Sequence, residues 1–157
     1  VKAGGGHGKG ASFERKIAKS IVKALKQFGV KQRDCWRSVM SGGHAMSSGD
    51  LEMSVRMEKL FPYSVECKHH RKIEWWRFLI PVGQRRKSWK EVRWLQQTLD
   101  GCKKRDGLRP LLVMKENNRP IIVMLLQSYP TKWHAMLWTE FLKKSVLYVK
   151  NNKLDRR

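Results

Sequence analysis

Acidic residues are scarce in this 157-residue chain: Asp and Glu number 13 against 34 Lys and Arg, a formal net charge of +21. Repulsion among so many like charges opposes compaction, so an anionic partner is expected to discharge them. Cysteine is scarce as well. Cys35, Cys67 and Cys102 are odd in number and far apart, which fits neither a disulfide framework nor the paired spacing of structural zinc. They read as buried thiols in a reducing compartment. No run approaches the ~20 apolar residues that span a bilayer. The opening VKAGGGHGKGAS lacks the apolar centre of a secretory signal. It also falls short of a phosphate loop, because Lys9 is followed by Gly10 rather than Ser or Thr. The chain reads as cytoplasmic, without membrane association or a small-molecule cofactor, and nucleic acid is the first partner to consider.

What is present argues for a folded body. A hydrophobic share of 41% with seven Trp excludes disorder, and the length suits one domain over residues 1–157. Residues 1–11 read as a flexible basic arm and 150–157 as a basic tail. Ser12 is a candidate N-cap for a helix carrying Phe13, Ile17, Ile21, Leu25 and Phe28 on one stripe and ended by Gly29. A strand is expected near 33–39, a loop of small residues over 41–49, and extended segments at 50–55 and 63–68. Residues 56–62 are a loop or a helical turn, and 69–87 form a long basic stretch. A second helix is expected over 88–104, a hairpin at 111–115 and 120–126, a third helix over 131–144, and a strand at 146–149. This order predicts an α/β fold, a central mixed sheet flanked by helices.

The scarcity of acids makes those beside apolar strands informative. In Tyr63-Ser64-Val65-Glu66-Cys67-Lys68, alternation points Val65 and Cys67 to a core and Glu66 with Lys68 to the opposite face. That pair is either a surface ion pair of about 0–1 kcal/mol or part of a reactive site. Asp50 opens the preceding extended segment. If the two segments pair as an antiparallel hairpin, Asp50 and Glu66 meet at one end of the sheet. Two carboxylates held close repel unless a cation sits between them, and a hard divalent ion such as Mg²⁺ takes oxygen ligands. The Cys67 backbone carbonyl is a natural third ligand. Lys68, beside two carboxylates, would position water and stabilise charge rather than act as a base. Glu14 lies at the margin of the first helix's buried stripe. It is either a charge favoured near a helix N-terminus or a further metal ligand.

These residues, Glu14 on an opening helix, then Asp50, then Glu66-x-Lys68, resemble the PD-(D/E)XK nuclease superfamily. Lys9-Gly10-Ala11-Ser12-Phe13-Glu14-Arg15 resembles the start of the archaeal-type Holliday junction resolvases, and Arg37 with Ser41-Gly42-Gly43 resembles that family's loop before the metal-binding Asp. The likeness covers roughly residues 9–70. Ser48-Gly49 stands where relatives have Pro before the Asp, and Met40 where they have Gly. Gln96 and Glu91 both fit the helix position at which relatives carry Gln. The resemblance implies a restriction-endonuclease-like core in which Glu14, Asp50 and Glu66 bind Mg²⁺, or Mn²⁺ as a substitute. It implies that Lys68 is the catalytic lysine and that Ser41 contacts DNA near the cut.

Lys9, Arg15, Arg37, Arg71 and Lys72 flank this site in sequence and are expected to contact phosphates, with binding that weakens steeply as salt rises. His70 falls on the catalytic face by alternation, where it touches phosphate, or else belongs to a solvated basic loop. Trp75-Trp76 either stack on exposed bases or pack against protein. The expected activity is a Mg²⁺-dependent endodeoxyribonuclease resolving four-way junctions by paired symmetric nicks. A C2 homodimer supplies the two active sites. Another PD-(D/E)XK repair or restriction nuclease, and a basic nucleic-acid binder without chemistry, remain as alternatives. For a viral source the location would be the host cytoplasm.

Overall fold

The spacing of Phe13, Ile17 and Ile21 does build a helix, but a longer one than the sequence suggests. A computed structural model describes residues 5–39, 49–128 and 132–154, and in it α1 runs Gly5–Leu25. Ser12 therefore lies inside the helix rather than at its N-cap, and residues 5–11 of the expected arm are helical. A tertiary contact accompanies this extension, with Lys9 Nζ donating to Asn117 Oδ1 at 3.2 Å. Phe13, Ile17, Ala18, Ile21, Val22 and Leu25 are buried while Lys16, Lys19 and Lys23 face solvent. Each large apolar side chain buried in this way contributes about 1.5–3 kcal/mol. A 3₁₀ turn, Lys26–Phe28, closes on Gly29, which takes the left-handed conformation at φ 81°.

The next two strands pair with each other. β1 (Cys35–Arg37) lies antiparallel to β2 (Leu51–Met53), with Trp36 opposite Glu52. The expected hairpin between segments 50–55 and 63–68 does not form. Instead α2 (Val55–Leu60) turns the chain, capped by Ser54, whose Oγ accepts from Met57 N at 3.2 Å and donates to Asp34 Oδ1 at 3.0 Å.

The main sheet is mixed and four-stranded. β3 (Tyr63–His70) lies parallel to β4 (Arg109–Glu116), and the crossover between them carries α3 (Lys90–Lys103). β5 (Ile121–Ser128) and β6 (Lys132–Leu137) follow antiparallel, giving the order β3-β4-β5-β6. The β4–β5 turn uses Asn118 at φ 59°, a left-handed position that Asn tolerates. α4 (Trp138–Leu154) ends the described chain. Within the expected helix over 131–144, residues 132–137 thus form a strand and the helix starts at Trp138. The strand expected at 146–149 lies inside α4, as do residues 150–154 of the expected tail.

Helices cover both faces of this sheet, as the sequence predicts. Val65, Cys67, Leu111, Val113 and Val123 pack with Ile17 and Ile21 of α1 and Phe141 of α4. On the opposite face Leu112, Met114 and Met124 pack with Trp94 and Leu95 of α3 and with Ile73. Between β3 and α3, the 3₁₀ turn Trp75–Phe78 is held down by Trp75 Nε1, which donates to Glu116 Oε2 at 2.7 Å. Trp75 therefore packs against protein. Among the described residues no helix is long and apolar enough to cross a membrane.

Candidate active site

β3 is an edge strand, paired with β4 on one side. In a strand the N–H and C=O of one residue point to the same edge, so the backbone polar groups of Val65 and Cys67 face the same edge. Asp50 meets them there: its N–H donates to Val65 O at 2.8 Å, and its Oδ2 accepts from Cys67 N at 2.8 Å. Its own carbonyl accepts from Ser38 N at 2.9 Å, tying the same residue back to the β1 end. Asp50 thus joins the small sheet to the large one, although the strand that follows it does not pair with β3.

Gly49 makes this approach possible. Its φ is +129°, and a Cβ there would stand 2.8 Å from the Val65 carbonyl oxygen. That is the physical reason for a glycine before Asp50.

Glu66 and Lys68 share one face of β3 as alternation predicts. Lys68 Nζ lies 2.7 Å from Glu66 Oε1, and the two side chains are mostly withdrawn from solvent. Glu14, on the buried side of α1, is ion-paired with Arg37 of β1 through the guanidinium Nε. Electrostatics link all three acids. Burial, then the neighbouring Glu66 carboxylate and more weakly Glu14, push the Asp50 carboxyl up to about 7; the Cys67 N–H and Lys68 oppose this. Burial, followed by the charges of Asp50, Glu14 and Glu66, pushes the Cys67 thiol far above its ordinary range.

The side chains are not drawn into a preformed cage: among the described residues no group of three or more His, Cys, Asp or Glu stands in metal-holding geometry. The expected set Glu14, Asp50 and Glu66 is linked electrostatically rather than preassembled. Two of the three carboxylates lean on a basic partner, Glu14 on Arg37 and Glu66 on Lys68. The donor chemistry nevertheless fits a hard divalent ion. Carboxylate oxygens of Asp50 and Glu66 and the Cys67 carbonyl, turned to Asp50's edge, are all hard ligands. A buried carboxyl with a second one beside it is also the arrangement that a cation relieves.

The family model described as "Phage putative PDDEXK endonuclease" matches residues 5–153. The chain belongs to this family. Nucleases of the PDDEXK type generally use divalent metal ions, and their substrate is DNA. No curated protein and no solved structure matches the chain.

In a PDDEXK endonuclease the cations around the carboxylates are the natural place for phosphates, and the expected DNA contacts divide on this point. Arg15, Arg71 and Lys72 are exposed. Lys9 is tied to Asn117, and Arg37 is engaged with Glu14. Ser41 lies outside the described residues. His70 is half-buried, its ring stacked on Trp94 at 4.6 Å, and burial with the nearby Lys90 and Lys68 lowers its pKa. It is neither a member of a solvated loop nor a freely presented phosphate ligand.

Both candidates for a helix glutamine are engaged with other partners. Gln96 is exposed and donates to Asp100 Oδ1 at 2.9 Å. Glu91 is fully buried, accepting from Arg77 Nη1 at 2.9 Å and Glu74 N at 3.2 Å. It ties the Trp75–Phe78 turn to α3, a role for which the sequence carried no signal.

Proposed function

We propose that this PDDEXK endonuclease hydrolyses phosphodiesters of branched DNA, four-way junctions above all, with Mg²⁺ or Mn²⁺ held by Asp50, Glu66 and the Cys67 carbonyl. The observation that carries the reading is the docking of Asp50 on the β3 edge beside the Glu66–Lys68 pair. A divalent ion at such a site supplies Lewis-acid polarisation of the phosphate and a more acidic water. Within the chain, Asp50 and Glu66 supply the negative charge that fixes the site. Lys68, the cation on the same face, orients the water and offsets the charge that builds on phosphate oxygens. Glu14, whose charge also reaches Asp50, would serve as an additional ligand.

A four-way junction has approximate twofold symmetry, which a C2 homodimer with one site per chain would match. Leu147 and Tyr148 on α4 are more than half exposed, an apolar surface available for such pairing. The family description places relatives in phages, and the corresponding location for this chain is the cytoplasm of the host.

The test incubates purified protein and Mg²⁺ with an immobile four-way junction, a flap and plain duplex. Paired symmetric nicks confined to the junction support the reading. Equal cutting of all three substrates replaces it with a general repair or restriction nuclease, with which the family description is equally compatible. Binding without cutting in any divalent metal removes the nuclease proposal altogether.

A further inference from the structure

On the α3 side of the sheet an indole is held rigidly at the surface. Trp76 is half exposed, yet its ring is fixed at three points. Its Nε1 donates to Glu74 Oε2 at 3.0 Å, its ring and that of Trp89 meet edge to face at 5.5 Å and 69°, and the Arg77 guanidinium lies 5.5 Å from its centroid. Arg77 also sits 5.1 Å from the Trp89 centroid and is anchored by the buried Glu91. Its Nε is buried without a hydrogen-bond partner among the described residues, so the wedge between the two indoles is kept at some cost.

The surroundings are strongly cationic. Residues 71–93 carry eight Lys or Arg and two Glu. Of the two Glu, Glu91 is buried and Glu74 is paired with Lys72 at 3.2 Å. A chain of packed side chains also links this surface to the candidate active site. Lys90 Nζ lies 5.6 Å from the Trp94 ring, Trp94 stacks on His70, and His70 is the next residue after Lys68 on the same face of β3.

We infer that Trp76, on its footing of Trp89 and Arg77, is a stacking platform for an unpaired nucleobase of the DNA bound at the active site. An immobilised indole loses little freedom on binding, and every base has a π-face to offer it. In an intact duplex both faces of each base are already stacked. The platform therefore engages only where a base is unpaired, at a flap, a bulge or an opened branch point, while the surrounding lysines and arginines bind any DNA. This selection rests on the nuclease reading for its purpose but not for its measurement.

The experiment measures fluorescence anisotropy of a labelled duplex with a single-stranded flap and of the fully paired duplex of the same sequence, in EDTA so that nothing is cut. Trp76→Ala should weaken flap binding roughly tenfold or more and leave duplex binding unchanged, and Trp76→Phe should keep most of the flap affinity. Trp76→Leu, which retains apolar bulk, should behave as Trp76→Ala if stacking is the cause. Equal losses on both DNAs, or none on either, would overturn the proposal. If the flap-specific loss appears while Mg²⁺ supports no cleavage of any DNA, the nuclease reading fails and the platform stands. If cleavage is normal and Trp76→Ala binds flap as tightly as the parent, the platform alone fails.

Discussion

Replacing Asp50 by Asn should make the metal-free protein more stable. In the fold the Asp50 carboxyl is buried beside Glu66, which lifts it from 3.8 to about 7. That rise corresponds to about 4 kcal/mol between its two protonation states, an upper bound that relaxation and water penetration reduce. Asn keeps an oxygen to accept from Cys67 N but carries no charge, so in EDTA at pH 8 the variant should gain about 2–4 kcal/mol. The sign follows from linkage. A carboxyl whose pKa is higher folded than unfolded takes up a proton on folding, so its contribution to stability grows as pH falls from 8 through 7 toward 4. The stability gap between Asp50→Asn and the parent should therefore shrink steadily between pH 8 and pH 5. Asp50 is not among the groups that lower the His69 and His70 pKa values, so their contributions should cancel in the difference. Urea unfolding at several pH values provides the numbers. Mg²⁺ at pH 8 should then stabilise the parent and not the variant, since only a state that binds the ion gains from it. An Asp50→Asn protein that is less stable than the parent in EDTA at pH 8, or a gap independent of pH, would refute the electrostatic account of the site.

Three further perturbations test other parts of the arrangement. Lys68→Ala should fold normally and bind DNA nearly as the parent does, while single-turnover cleavage falls by about 10²–10³. Gly49→Ala forces a Cβ to within 2.8 Å of the Val65 carbonyl oxygen at a φ of +129°. It should cost about 1–3 kcal/mol in urea unfolding and, by shifting Asp50, about 10² in cleavage rate. Glu91→Ala leaves the Arg77 guanidinium without its buried partner and should cost about 3 kcal/mol of stability, measured by the same unfolding assay.

Local chemistry made part of this molecule readable. Charge alone pointed to a polyanion. The two-residue period of Tyr63–Lys68 put Glu66 and Lys68 on one face and Val65 and Cys67 in the core, because strand geometry allows little else. The stripe on α1 followed in the same way from the helical period. Residues 132–137 misled for a definite reason. Trp133, Met136 and Leu137, followed by Trp138 and Phe141, have helical spacing, but β5 has a free edge that pairs with the first part of this segment. Val146 to Val149 reads as a strand by its β-branched and aromatic side chains, yet Val149 is buried from within α4. Propensity yields to tertiary pairing in both cases.

The chain's composition and residue order thus determined a basic α/β protein with a carboxylate–lysine group on an apolar strand, since charge and side-chain alternation are properties of short segments. Tertiary structure alone decided that Asp50 reaches β3 across the gap left by Gly49 rather than through a hairpin. It also decided that Glu14 answers to Arg37, and that Glu91 serves Arg77. Each of these depends on which distant segments meet. The free energy that selects those meetings comes from burying whole helix and sheet faces, which no local pattern specifies.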